Sequence, residues 1–167
     1  EAGCAGEHAT ILEGARAARE FSGGAGPVYR ASDVGEFELR VREEHCATPG
    51  RAGLRCVRPG DIVVTKGVPI RAAIAAPNVF RHPVDANCYL VRGLELAEGL
   101  WFTLCVNQPV FGEYLVRKSG AGIVPRVRSD VLATARFPRR PQGMEWLGER
   151  VMDCLERRMD SDIELIR

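Results

Sequence analysis

The last 27 residues constrain the fold more than any other part of the sequence, because they carry one uninterrupted amphipathic pattern. No proline follows Pro141, and apolar residues then recur every three or four positions, at Met144, Leu147, Val151, Leu155, Met159, Ile163 and Ile166. This spacing predicts a single helix about 35 Å long. The helix either packs on its own domain or pairs with a partner helix, and we expect pairing through Leu147, Val151, Leu155, Met159 and Ile163.

The preceding 140 residues predict short strands separated by glycine and proline. The runs "DIVVTKG", "IRAAIAA" and "ANCYLVRG" are typical of strands, "FELRVR" alternates like a half-buried strand, and "GIVPRV" and "ATARFP" predict two shorter ones. Pro59 and Gly60 predict a tight turn, and residues 96–118 predict a helix interrupted near Pro109. We therefore expect a mixed α/β (α+β) fold, with one domain over residues 1–140, short and partly edge-type strands, and a spacer-like helix over residues 141–167.

Composition is that of a soluble globular chain with one core, since 46% of the 167 residues are hydrophobic and 27% are charged. No apolar run reaches the roughly 18 residues of a membrane span, and "EAGCAGEHAT" lacks the regions of a signal peptide. We therefore expect a cytoplasmic protein without a membrane partner. Six cysteines form no C-x-x-C pair, so we expect no metal and no cofactor, with Cys56, Cys88 and Cys105 as buried free thiols.

Charge is concentrated in one stretch of a chain whose net charge is only +1. Residues 117–140 contain seven basic residues and one acidic residue, whereas residues 141–167 contain four basic and seven acidic ones. Such segregation favours binding to a polyanion, because it gathers cations on one surface while the rest stays soluble. Of the 23 basic residues 21 are arginine, which suits phosphate and guanine contacts. A GC-rich genome would give the same bias, and that alternative stays open.

Motifs of catalysis are incomplete throughout the sequence. "VNQPVF" has only a superficial likeness to the Asn-Pro-Pro-aromatic motif of amino-methyltransferases, and no Walker A loop is present. His45 and Cys46 are chain neighbours with no third group to orient them. Asp61 with Lys66 lacks the additional acidic ligands that a nuclease metal site needs. We expect no catalytic residue in this chain.

The order of the short motifs resembles the target-recognition domain of type I restriction-modification specificity subunits. "VYRASDVG", "LRCVRPGDIVVTKGV", "ANCYLVRG" and "SGAGIVPRVRSDVLATARFP" follow one another before the long helix. The family's characteristic places are filled by residues 29–33, 59–67, 119–126, 137–138 and 143–166. Two departures are the helix entry "PRRPQGMEW", which keeps only Gln142 of the usual pattern, and the single recognition domain where full subunits usually carry two.

The resemblance implies a module that recognises double-stranded DNA and directs a methyltransferase or endonuclease complex to its site. Its expected partners are DNA and a methyltransferase subunit or fused methyltransferase domain, with a homodimer through the C-terminal helix as another arrangement. Whether the chain is a half-subunit, a fragment or the DNA-reading end of a fused enzyme stays open. The alternative from another class is a fragment of a larger DNA-modifying enzyme, or a protein-interaction domain whose basic stretch serves an acidic partner.

Loops after the short strands supply the candidates for reading bases, because such side chains project from a rigid scaffold. These candidates are Tyr29, Arg30, Lys66, Arg71, Arg81, His82 and Asn87. The basic stretch supplies the candidates for phosphate contact, which position the protein but carry little sequence information. They are Arg117, Lys118, Ser119, Gly120, Arg126 and Arg128.

Overall fold

The fold is a mixed α/β fold built on a four-stranded antiparallel sheet. The computed structural model describes residues 3–4, 9–15, 26–48, 50, 53–120 and 122–166. Within them the strands and α-helices are β1 (Gly3–Cys4), β2 (Thr10–Glu13), α1 (Glu43–Ala47), β3 (Ile62–Thr65), β4 (Ala72–Ile74), β5 (Cys88–Arg92), α2 (Leu96–Val106), α3 (Pro109–Ser119), α4 (Ser129–Thr134), β6 (Arg136–Phe137) and α5 (Met144–Ile166). The sheet order is β2-β5-β3-β4. The strands predicted from "DIVVTKG", "IRAAIAA" and "ANCYLVRG" are thus confirmed.

Alternation along the central strands divides the interior into two cores. On β3, Ile62 and Val64 face one hydrophobic cluster and Val63 faces the other. On β5, Tyr89 and Leu90 likewise point to opposite clusters. All of β3 is buried, which explains why its sequence is continuously apolar rather than alternating with polar residues.

The first core lies between the sheet and the helices that follow β5. Pro109 begins α3 directly after α2 ends, so the helix interruption predicted there is confirmed. At this break the Asn107 side chain accepts a hydrogen bond from the Ala72 N–H at 2.8 Å and donates one to the Ala72 carbonyl at 2.9 Å. The amide therefore occupies backbone groups at the edge of β4, which would otherwise be open to another strand.

The second core is covered by loops together with part of α5. Tyr29, Val34, Leu39 and Val57 are buried there. The strand predicted for "FELRVR" is wrong: Leu39 forms only an isolated bridge with Val34, and a short helix begins at Glu43. The segment bonds to its own neighbourhood, with the Arg40 N–H on the Asp33 carbonyl at 2.8 Å, so alternation alone did not give it a strand partner.

The basic stretch is also less regular than its sequence predicts. The segment "GIVPRV" does not form a strand. It makes one isolated β-bridge, in which its residue Arg126 pairs with Gly67. "ATARFP" does contain a short strand, β6, which pairs with β1, but its first residues end helix α4. The predicted turn is present at residues 58–61, where Gly60 has φ +81 and the Asp61 N–H donates to the Arg58 carbonyl.

The long C-terminal helix forms as predicted but packs along its own domain. Met159 is buried in the second core, Leu155 contacts both cores, and Val151 lies against a small cluster on α2. Gly148 lets α5 approach α2 closely, since a Cβ at this position would lie 3.1 Å from Leu96 Cγ. Asn78 also donates a hydrogen bond to the Glu156 carbonyl at 3.1 Å.

This packing corrects the expected partner-facing stripe. Met159 is only 5% exposed and Ile163 packs beside it, so both side chains are occupied within the chain. The physical reason is that a stripe with a period of three to four residues fits a domain core as well as a partner helix. Leu147, at 37% exposure, and the neighbouring Trp146 are the apolar side chains that the first half of α5 leaves on the outside.

Cysteine burial follows the prediction. Cys56, Cys88 and Cys105 are buried and form no disulfide among the described residues, and burial raises the pKa of Cys105 to about 11. Among the described residues no helix is long and apolar enough to cross a membrane, and no three His, Cys, Asp or Glu side chains gather as metal ligands would. The N-terminal segment compared with a signal peptide, and the side chain of Cys4, lie largely outside the described residues.

Candidate nucleic-acid interface

Two loops and a turn meet at one end of the sheet. Thr65, the last residue of β3, pairs with Cys88, the first residue of β5, so the loop after β3 lies beside the turn before β5. The Lys66 N–H donates to the Asn87 carbonyl at 2.8 Å, and the Lys66 carbonyl accepts from the Val127 N–H at 2.8 Å. Backbone hydrogen bonds thus bring residues 66–71, residue 87 and residues 122–128 together.

Thr65 organises the loop that follows it. Its hydroxyl accepts a hydrogen bond from the Arg71 N–H at 2.9 Å and lies 3.2 Å from the Pro69 carbonyl. The Val68–Pro69 peptide bond within this loop is cis. A buried side chain therefore fixes the backbone on both sides of an exposed loop tip, which holds Arg71 at the sheet end.

The meeting point encloses a depression of about 520 Å³, here named the basic depression. Among the described residues its lining holds two arginines and one asparagine but no carboxylate, and consists of Ala31, Ser32, Thr65, Gly67, Val68, Pro69, Arg71, Asn87, Val124, Pro125 and Arg126. Neither Arg71 nor Arg126 forms an ion pair within the described part of the chain. Asp85 is an acidic neighbour of this site, and its carboxylate accepts a hydrogen bond from the Asn87 N–H at 2.9 Å.

A second depression, of about 500 Å³, lies on the other side of Arg71 and is here named the mixed depression. It shares Val68, Pro69, Arg71 and Pro125 with the basic depression. Its remaining lining includes two carboxylates and a mostly apolar wall: Glu36, Ile70, Asn107, Pro109, Gly112, Glu113, Val116 and Arg117. The two concave surfaces therefore have similar volumes but different charge.

Three of the seven base-reading candidates lie in the interior, and this corrects their predicted role. Tyr29 and His82 are fully buried and cluster with His45, whose ring centroid is 4.4 Å from that of Tyr29 and 5.4 Å from that of His82. Burial, and secondarily the charge of Asp33, raises the pKa of Tyr29. Lys66 places its ammonium 4.3 Å from the centre of the Tyr89 ring and 3.7 Å from Glu13.

The other four candidates reach the surface, but only two of them meet. Arg71 and Asn87 line the basic depression together. Arg30 is exposed and lies 3.9 Å from the carboxylate of Glu44, while Arg81 is exposed and outside both depressions. Base contact by Arg30 and Arg81 stays a prediction, and neither residue lies with Arg71 and Asn87 in the basic depression.

The phosphate candidates divide in a similar way. Arg126 lines the basic depression, whereas Arg117 is paired with Glu113 at 2.9 Å and Arg128 is paired with Asp130. The hydrogen bond to Asp130 raises the pKa of the Arg128 guanidinium, and the same bond lowers the pKa of Asp130. Lys118 lies at the end of α3, with its ammonium 5.9 Å from the Tyr114 ring centre. Arg126 is therefore the cation of the stretch most directly joined to Arg71 and Asn87.

Ser119 and Gly120, two of the predicted phosphate contacts, have structural roles at the end of α3. The buried Ser119 hydroxyl donates to the Leu115 carbonyl at 2.8 Å and accepts from the Arg128 N–H at 3.0 Å, which ties the loop to α3. Gly120 ends α3 with φ +93, a conformation that favours glycine, and its N–H donates to the Arg117 carbonyl. Both donors are engaged within the chain, and phosphate contact by these two residues stays a prediction.

The two motif aspartates are buried and satisfied by arginine. Asp61 accepts hydrogen bonds from the Arg58 N–H at 2.8 Å and from Arg92 Nε at 2.9 Å and a terminal nitrogen at 2.6 Å. Asp33 accepts from the Arg30 N–H at 2.8 Å and pairs with the Arg42 guanidinium. We name Asp33, Arg42, Asp61 and Arg92 the buried frame after its two buried aspartates; the Arg42 side chain itself is 39% exposed.

Two residue pairs considered from the sequence as catalytic, Asp61 with Lys66 and His45 with Cys46, have other partners in the structure. Asp61 and Lys66 have separate partners, Arg92 for the first and Tyr89 with Glu13 for the second. His45 Nδ1 accepts from the Arg42 N–H at 3.0 Å, and Nε2 lies 3.3 Å from the Val28 carbonyl. Both ring nitrogens are engaged, so His45 is not placed as a base for Cys46.

Sequence reasoning missed the residues that complete the rim of the basic depression. Val68 and Val124 line it and are 64% and 61% exposed, and Ser32 lines it as well. The only signal for them was local: each valine is next to a proline within a loop. Chemically, the depression offers two guanidinium groups without an ion-pair partner among the described residues, an amide and an apolar rim, which suits binding of an anionic and partly apolar surface.

Comparison with solved structures shows the same fold in two bacterial proteins. The HsdS subunit from Thermoanaerobacter tengcongensis superposes with a TM-score of 0.55 at 16% identity, and the S subunit of a type I restriction-modification system from M. genitalium with 0.53 at 10%. In each case 99% of this chain is covered, but only 38% and 41% of the other protein. The chain thus spans about two fifths of the length of these subunits. No family model matches the chain, and no curated protein does.

Proposed function

We propose that this chain is a DNA-specificity module that recognises a short duplex sequence and directs a restriction-modification complex to it. In this proposal residues 1–140 form the recognition domain, and residues 141–167 begin a spacer helix. Arg71 and Asn87 contact base edges, and Arg126 contacts the phosphate backbone beside them. The protein acts in the cytoplasm.

The observation that carries the proposal is the charge of the basic depression. Its described lining contains Arg71, Asn87 and Arg126 and no carboxylate, although Asp and Glu are nearly as numerous in the chain as Lys and Arg. Arginine binds guanine O6 and N7, asparagine binds adenine N6 and N7, and an adjacent guanidinium neutralises phosphate. Such a grouping on loops held by backbone hydrogen bonds provides both positioning and base contacts.

The fold supports the same assignment from an independent direction. Two specificity subunits of type I systems share it over nearly the whole chain. The order of the short sequence motifs resembles the recognition domains of that family. Because the likeness in sequence is low, the chemistry of the depression, not the fold, supplies the argument for DNA.

Catalysis belongs to a partner in this proposal. A methyltransferase subunit, a fused methyltransferase domain or a second copy of the chain would dock on the outer side of α5, where Trp146 and Leu147 are exposed. This replaces the predicted contact through Met159 and Ile163, which are packed within the chain.

The test is selection of bound duplexes from a randomised pool at two salt concentrations, followed by sequencing. We expect one recovered motif and a steep loss of affinity with salt, because released counterions drive phosphate binding. Specific sites bind at least about 10³-fold more tightly than random DNA in proteins of this kind. Retention without a motif, or no retention at either salt, would contradict sequence-specific recognition and favour the protein-interaction alternative.

Three variants assign the contacts. Arg126→Ala should weaken binding to all sequences alike and reduce the salt slope by about one. Arg71→Ala and Asn87→Ala should each cost about 1–3 kcal/mol at one position of the motif and relax the preference there. Arg157→Ala, which removes an exposed arginine of α5 outside both depressions, is the matched control and should leave binding unchanged. Equal effects of all four variants would show that the depression is not the contact surface.

A further inference from the structure

The rim of the basic depression carries two exposed valines whose presence the proposed function does not use. Val68 and Val124 are 64% and 61% exposed. They lie on the two loops that the bond between the Val127 N–H and the Lys66 carbonyl joins, and both line the same depression. A single exposed valine needs no explanation, but two on one basic rim form a small apolar surface.

The backbone holds both valines at the surface. Gly67 on one side of Val68 bridges to Arg126, and Thr65 fixes the carbonyl of Pro69 on its other side. Val124 precedes Pro125, which lines the same depression. The side chains are therefore presented at the rim in the unbound protein, and little ordering is needed when a ligand covers them.

The chemistry of a base pair tells which group such valines would contact. In the major groove only thymine presents a methyl group, and apolar side chains discriminate by packing on it. Adenine, on the other strand of the same pair, presents the donor and acceptor that an asparagine amide matches. Asn87 lines the same depression and is exposed, and within the described part of the chain its amide nitrogen makes a long, 3.4 Å contact to Asp85.

We propose that Val68 and Val124 read the 5-methyl group of thymine in an A·T pair whose adenine is bound by Asn87. This inference rests on the proposed DNA-recognition function and adds that the target contains an A·T pair read through its methyl group. The ligand is thus a major-groove edge, and the two valines are determinants of specificity rather than of general affinity.

The experiment replaces thymine by deoxyuridine in the duplex recovered from selection, one position at a time, and measures Kd for the complete chain. Removing one methyl from a buried contact should weaken binding about fourfold at one or two positions. With Val68→Ala or Val124→Ala, the affinity for the thymine duplex should fall and the difference between thymine and deoxyuridine should shrink or vanish. Val110→Ala is the matched control, since Val110 is 81% exposed and lines neither depression.

Several results would overturn the inference. A recovered motif without an A·T pair, or a deoxyuridine series that leaves Kd unchanged, would exclude methyl reading while leaving sequence recognition intact. Equal losses for thymine and deoxyuridine duplexes in both valine variants would assign the valines to a wedge between bases, which does not depend on the methyl group. Failure of the proposed function is distinguishable, because then no motif is recovered and no position exists to substitute.

Discussion

The buried frame and the basic depression differ in whether their charged side chains are paired. Asp61 is 3% exposed and accepts three hydrogen bonds, two of them from Arg92, whereas Arg71 and Arg126 have no carboxylate partner within the described chain. A satisfied ion pair fixes backbone segments that are far apart in sequence, while an unpaired cation on a loop is available to a ligand. The difference teaches that the motif residues most readily recognised in the sequence build the fold, and that less distinctive loop residues provide the candidate contacts.

The largest expected effect comes from breaking the buried frame at Arg92. Its guanidinium also donates to the Leu54 and Cys56 carbonyls at 2.8 Å each, so Arg92→Ala leaves Asp61 buried without its charge partner. Loss of one partner of a buried pair costs about 3–5 kcal/mol. We expect urea unfolding to show a loss of this size in the free energy of unfolding.

The control for this variant is an exposed pair. Arg117→Ala removes the ion-pair partner of Glu113. The Arg117 side chain is 80% exposed, and exposed ion pairs contribute at most about 1 kcal/mol to stability. Equal destabilisation by both substitutions would mean that the two regions do not differ in how they use charge.

The same contrast explains which parts of the fold the sequence predicts. Strands β3 and β5 were predictable because short β-branched and apolar runs bounded by Gly or Pro seldom form anything other than buried strands. The break between α2 and α3 was predictable from Pro109. The strand over "FELRVR" was wrong because alternation does not reveal whether a partner strand is present. The packing of α5 was also missed, because apolar residues such as Met159 recur at the same intervals in a helix packed on its own domain as in a coiled coil.

The candidate site was only partly predictable for a related reason. Arg71 and Asn87 were found because loops at strand ends commonly carry function. His82 and Lys66 were misassigned because their partners lie far along the chain: His82 Nε2 is 3.1 Å from the His45 carbonyl, and Lys66 lies on the Tyr89 ring. A polar residue type predicts exposure only when no distant group satisfies it.

A smaller effect is expected in the pH dependence of the free energy of unfolding, through the buried side chain of His45. Burial, with a further contribution from His82, lowers the pKa of His45 from 6.5, and the Val28 carbonyl, Asp33 and Glu44 oppose this shift. Protonation would also place a second donor against the Arg42 N–H. Because the folded-state pKa lies below the unfolded one, the contribution of neutral His45 is complete above pH 6.5 and is lost as the pH falls below 6.5, at no more than about 1.4 kcal/mol per pH unit.

The measurement is the free energy of unfolding at pH 7.5 and pH 5.5, for the unaltered chain and for His45→Gln. The variant lacks a titrating group at this position, so its stability should fall less over the interval, whatever its absolute value. An identical pH dependence in the two proteins would show that His45 is not the group responsible.

The smallest expected effect tests whether charge, rather than shape, separates the two depressions. Glu113→Gln removes a carboxylate from the mixed depression and leaves Arg117 without its partner. If DNA lies only on the basic depression, affinity for the selected duplex should change by less than about twofold and the salt slope should stay the same, because exposed charges are screened over about 8 Å. A salt slope steeper by about one would place Arg117 on a phosphate. The contact surface would then extend across Arg71 into the mixed depression, and Glu113 would be a residue that limits binding there.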